Sequence, residues 1–62
     1  MPLDAAALSS LSTALDDLTK RITTLADAYQ TSPREDVAAD LYEVERNLQA
    51  AARRLKAVLA KA

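Results

Sequence analysis

The 62-residue chain contains no cysteine, histidine, glycine, tryptophan or phenylalanine. Without cysteine there is no disulfide, and without cysteine and histidine there is no zinc site of the usual structural kind. The same two absences exclude Ser-His and Cys-His nucleophilic catalysis. The lack of glycine excludes a phosphate-cradling glycine-rich loop and argues against a fold built from tight turns. Aromatic residues make up only 3% of the chain. Ala, Leu, Arg, Lys, Glu and Gln dominate instead, all of them strong helix formers, so the expected class is all-α.

A domain this short buries a modest fraction of its surface and needs a further source of stability. With disulfide and zinc unavailable, oligomerisation or very regular helix packing remains. Eight basic and nine acidic side chains give a net charge of -1, so no global field draws the chain to nucleic acid or to an anionic membrane. The opening Met1-Pro2-Leu3-Asp4 has no basic region followed by an apolar core, and no apolar run approaches the length of a membrane span. A cytoplasmic protein without cofactor is expected.

The large apolar residues Leu8, Leu11, Leu15, Leu18, Ile22, Leu25 and Tyr29 follow one another in alternating steps of three and four. Only an α-helix gathers that spacing on one face. With Leu8 as heptad position a, the a column is Leu8, Leu15, Ile22 and Tyr29, and the d column is Leu11, Leu18 and Leu25. Asp4 is placed to cap the first turn, with Leu3 packing on Leu8 as a hydrophobic staple. A second stripe runs through Val37, Leu41, Val44, Leu48, Ala51, Leu55 and Val58, broadened by Leu59.

Between the stripes lies Gln30-Thr31-Ser32-Pro33-Arg34-Glu35. Pro33 disfavours a helical Ser32 and has no amide to continue the first helix. Ser32 with Glu35 reads as a capping box, and Pro33 suits the first helical position. The expected organisation is one helical-hairpin domain over residues 1–62, with helix 1 over about 4–30, a turn at 31–32 and helix 2 over about 33–61. A connection this short between helices of roughly 40 Å implies antiparallel packing. In outline this resembles the small secreted hairpins whose turn carries Trp-x-Gly. Here the turn reads Thr31-Ser32-Pro33-Arg34, so the likeness is one of shape alone and implies no activity or partner.

The columns beside the first stripe are Ala7, Ala14, Arg21 and Ala28 on one side and Ala5, Ser12, Thr19 and Ala26 on the other. All but Arg21 are small, which permits close backbone approach and widens the face available for burial. Helix 2 is polarised. Its first half carries Glu35, Asp36, Asp40, Glu43 and Glu45, and its second half Arg46, Arg53, Arg54, Lys56 and Lys61. That order suits the helix dipole, and two copies laid antiparallel would also set acid against base. The expectation is an antiparallel two-helix hairpin that dimerises into a four-helix bundle. Its core or interface comprises Leu8, Leu11, Leu15, Leu18, Ile22, Leu25, Val37, Leu41, Val44, Leu48, Leu55 and Val58.

The remaining candidates carry weaker chemistry. Asp36, Asp40 and Glu43 share one side of helix 2, but di-metal sites in bundles use Glu-x-x-His, and a solvated acidic face is the simpler reading. Asp16 with Lys20 and Asp17 with Arg21 have the spacing of surface ion pairs. Tyr42 lies one position off the second stripe, where it can cap the hairpin's flank, touch another subunit or mark a partner site. Ala50, Ala51 and Ala52 form a notch suited to a close helix crossing. Arg46, Arg53, Arg54 and Lys56 could form a small phosphate-contacting strip, without aromatics for base stacking. The favoured function is a non-enzymatic interaction or scaffold module that assembles with itself. The alternatives are a nucleic-acid accessory protein using that strip, or a hairpin that covers another protein's apolar stripe.

Overall fold

The computed structural model describes residues 4–61. They form two α-helices, α1 over Ala5–Gln30 and α2 over Glu35–Lys61, packed side by side. Asp4 acts as the N-cap of α1, its Oδ1 accepting a hydrogen bond of 3.0 Å from the Ala7 amide. The proposed staple partner Leu3 lies outside the described residues.

The end of α1 shows how a chain without glycine closes a helix. No described residue has a positive φ, so the left-handed cap that glycine usually supplies is not used. Hydroxyls take its place. Ser32 directs both its amide, at 3.0 Å, and its Oγ, at 2.6 Å, to the Tyr29 carbonyl, and Thr31 Oγ1 donates to the Ala28 carbonyl at 3.2 Å.

Here the structure corrects the sequence reading. Helix α2 begins at Glu35, two residues later than the Pro33 start. The Ser32–Glu35 capping box is not among the hydrogen bonds of the described residues. Ser32 Oγ accepts instead from the Arg34 amide at 3.1 Å, a local serine turn that holds residues 32–34 out of the helix. The first helical acceptor is the Arg34 carbonyl, which Val37 and Ala38 reach at 3.1 and 3.4 Å. Arg34 also pairs with Asp36 through two hydrogen bonds of 3.1 Å, and that pairing holds the Asp36 carboxyl below its ordinary pKa.

A second correction concerns the seam between the helices. The buried positions are Ser12 and Ala26 on α1 and Ala38 and Ala52 on α2. Half-buried between them lie Leu8, Leu15, Thr19 and Ile22 from α1, and Leu41, Glu45, Leu48, Leu55 and Leu59 from α2. The hairpin therefore closes on the a column and the small-residue column next to it, not on a and d. On α2 it likewise takes Ala38, Glu45, Ala52 and Leu59 in place of Val37, Val44, Ala51 and Val58. Small side chains let the two backbones approach closely, and a pair of helices has contact width for only two columns from each.

The fold assigns Ala26 and Ala39 opposite sensitivities. Ala26→Leu forces a large side chain into the closed seam and should cost about 1–3 kcal/mol. Ala39→Leu, on the exposed outer side of α2, should leave the melting curve nearly unchanged. Thermal unfolding followed by circular dichroism compares them, and equal midpoints would mean that the seam does not run through Ala26.

Candidate interaction face

At 100° per residue, the b and d columns stand about 80° to either side of the seam on each helix. The hairpin therefore has two long flanks, and they differ in character.

On the b flank, side chains of the two helices meet through polar contacts. The Tyr42 hydroxyl lies 2.5 Å from Asp27 Oδ1 and 2.7 Å from Gln30 Oε1. Its single proton goes to the carboxylate. The Gln30 carboxamide, whose oxygen and nitrogen exchange places on a half-turn, can then donate an N–H to the phenolic oxygen. Thr23 donates its hydroxyl to Glu45, and Lys56 Nζ lies 3.7 Å from Asp16 Oδ2. Asp16 thus pairs across the hairpin. The two ion pairs expected along α1, Asp16 with Lys20 and Asp17 with Arg21, are not formed among the described residues. Within the hairpin Tyr42 lies on the flank, reaching across to α1. The helix hydroxyls of Thr13, Thr19 and Thr24 each donate to the carbonyl four residues earlier; that of Thr23, whose single proton goes to Glu45, lies 3.0 Å from the Thr19 carbonyl.

On the d flank, no equivalent polar contact joins the helices among the described residues. Leu11, Leu25 and Leu18 are 59, 52 and 45% exposed, and Val44 and Val58 are 41 and 40% exposed. These five were expected among core or interface residues. In the single hairpin they form an open apolar face, because the seam has already used the neighbouring columns. Ala51 continues the α2 row between Val44 and Val58, and Val37, half-buried, begins it at the turn. Ala7, Ala14, Arg21 and Ala28 edge the face along α1, and Asp40, Asn47, Arg54 and Lys61 along α2. Of the alanine notch, Ala52 is buried in the seam, while Ala51 is exposed on this face.

The basic candidates divide between two sides of α2. Arg46 and Arg53 stand on the exposed outer side of α2, next to the polar flank, with Arg46 paired to Glu43. Lys56 leans over the polar flank toward Asp16. Arg54 borders the apolar face, about 100° around the helix from Arg53. Arg53 and Lys56, three residues apart, are neighbours on one side of the helix, and Arg54 is on the other. Of the three neighbouring acids, Asp36 is held by Arg34 and Glu43 by Arg46.

No helix among the described residues is long and apolar enough to cross a membrane. Comparison with protein-family models, with curated proteins and with solved structures found no match.

The polar flank has a pH signature. The hydrogen bond to Asp27 raises the Tyr42 pKa above its ordinary 10.0, with desolvation and the negative charges of Asp27 and Glu45 acting in the same direction. A group whose pKa is raised on folding stabilises the fold below its unfolded value, and that contribution is lost as pH rises through the folded value. Stability should therefore decline on the alkaline side of pH 10, and less so in Asp27→Asn. Ultraviolet titration of the phenolates, with Tyr42→Phe isolating the Tyr29 step, checks this. A Tyr42 midpoint unmoved by Asp27→Asn would show that the hydrogen bond does not set it.

Proposed function

We propose that this chain is a non-enzymatic protein–protein interaction or scaffold module that acts by self-association into a helical bundle, with the d flank as its working surface. The observation that carries this reading is the continuous row of exposed large apolar side chains, Leu11, Leu18 and Leu25 beside Val44 and Val58. An ordinary surface scatters such residues singly; a contiguous patch bordered by polar side chains is characteristic of an interaction site.

Size and shape support the same reading. The chain exposes 4718 Å², whereas a compact monomer of 6.7 kDa would expose about 3,900 Å². The excess is about the 800 Å² that each partner buries in a standard interface. The radius of gyration of 14.5 Å exceeds the roughly 10.6 Å of a globular chain of this length. Covering the d flank with a second hairpin would turn a rod two helices wide into a four-helix bundle with a closed core.

The test is solution mass by light scattering over a wide concentration range, with circular dichroism alongside. A helical species of twice the chain mass that persists at high salt is expected. Leu18→Asp, which sets a charge in the middle of the face, should weaken association roughly a hundredfold or more. A helical monomer at all concentrations would overturn self-association and point to a different protein as the occupant of the face. Binding to nucleic acid that fades steeply with salt would favour the phosphate-contacting alternative.

A further inference from the structure

We infer that the second copy lies on the d flank head to tail, related by a two-fold axis perpendicular to the helices near Leu18 and Ala51, so that α1 packs on the partner's α1 and α2 on the partner's α2. This rests on the self-association reading and adds to it the face, the direction and the register.

Direction follows from charge. The helices face each other so that Thr23 meets Glu45 and Asp27 meets Tyr42. Cutting the hairpin just beyond the Thr23–Glu45 level divides its charge unevenly. The turn-proximal part, residues 24–45, holds six acids, Asp27, Glu35, Asp36, Asp40, Glu43 and Glu45, against one base, Arg34, for a net -5. The rest holds the other three acids and seven bases, for a net +4, which together give the chain's -1. The molecule is thus an electric dipole along a body 50 Å long and 15 Å wide. Two copies with their turns at the same end would stack acid on acid, whereas copies with turns at opposite ends set the acidic end of each over the basic end of the other.

Register follows from the two apolar rows. The facing pairs Thr23–Glu45 and Asp27–Tyr42 put Leu18 at about the level of Ala51. An axis at that level matches both rows to themselves: Leu18 meets its counterpart with Leu11 on Leu25, and Ala51 meets its counterpart with Val44 on Val58. At the α2 edge the same axis brings Asp40 opposite the second copy's Lys61 and Asn47 opposite its Arg54. An isologous interface requires this self-matching, and here one axis satisfies the apolar rows and the charged edge together. On the α1 edge the small Ala7, Ala14 and Ala28 leave room for the leucines to interleave.

The alternative two-fold axis, parallel to the helices, would lay α1 on the partner's α2 and bring Leu18 against Ala51. Because the chain has no cysteine, single thiols separate the two arrangements. Leu18→Cys and Ala51→Cys are prepared separately and as an equimolar mixture and oxidised mildly. Products are read on a non-reducing gel by mass, beside Ala39→Cys on the outer side of α2 as a control. Efficient homodisulfide dimers from each of Leu18→Cys and Ala51→Cys, with little from Ala39→Cys, are expected. Linkage only in the mixture, or none in a protein that light scattering shows to be dimeric, overturns the head-to-tail register and leaves self-association standing. A wild-type chain that is monomeric by light scattering overturns both.

Discussion

The structure depends on how closely the two helices approach. Ser12 and Ala26 on α1, with Ala38 and Ala52 on α2, are the only buried side chains among the described residues, and none is larger than a hydroxymethyl group. Small residues at these levels let the seam form one column to the side of the leucine ridge. That offset determines the rest. It turns the b columns toward each other, where Tyr42, Thr23 and Lys56 find partners on the opposite helix, and it turns the d columns outward with nothing to cover them.

The two flanks divide the work that a larger protein assigns to core and surface. Polar contacts on the b flank are directional, and they fix the sliding register of α1 against α2. Such exposed contacts add little stability, but they are specific about which residue faces which. The d flank is the reverse: non-directional, apolar and open. A hairpin with its alignment settled on one side and its apolar area presented on the other would enter the proposed bundle as a preformed half of its core, without reorganisation.

Much of this was legible in the sequence, and the exceptions share one cause. The two helices, the break at Thr31–Arg34 and the Asp4 cap follow from local rules, which read spacing and capping chemistry along one chain. The choice of seam is not local. The stripe on α1 is four columns wide when its small flanks are included, and a single partner helix contacts two of them. Spacing alone does not select which two. The leucine ridge suggested a and d; close packing selected a and e. The one hint was already in the row Ala5, Ser12, Thr19 and Ala26, whose small size was read as widening the face available for burial; Ser12, Thr19 and Ala26 are the bed of α2 itself. At the turn, the capping box lost to a competing local bond, because Ser32 Oγ meets the Arg34 amide before the chain has reached helical geometry. Asp16 abandoned Lys20 for Lys56, a partner 40 positions away that no pattern along α1 could reveal.

The single connection at one end of the rod also orders its assembly in time. Contacts near the turn join residues close in sequence, 15 apart for Tyr42 and Asp27 and 22 for Thr23 and Glu45, while Lys56 and Asp16, further out, close a loop of 40. Closure entropy rises with that separation. Closure entropy therefore favours zipping from the turn outward, with the far turns the easiest to reopen. Amide exchange in the free hairpin would grade from protected near the turn to more permissive at the far end of the rod, around Leu8 and Leu59. In the proposed head-to-tail dimer each open end would lie against the other copy's turn-proximal part, which would even out the protection along the rod.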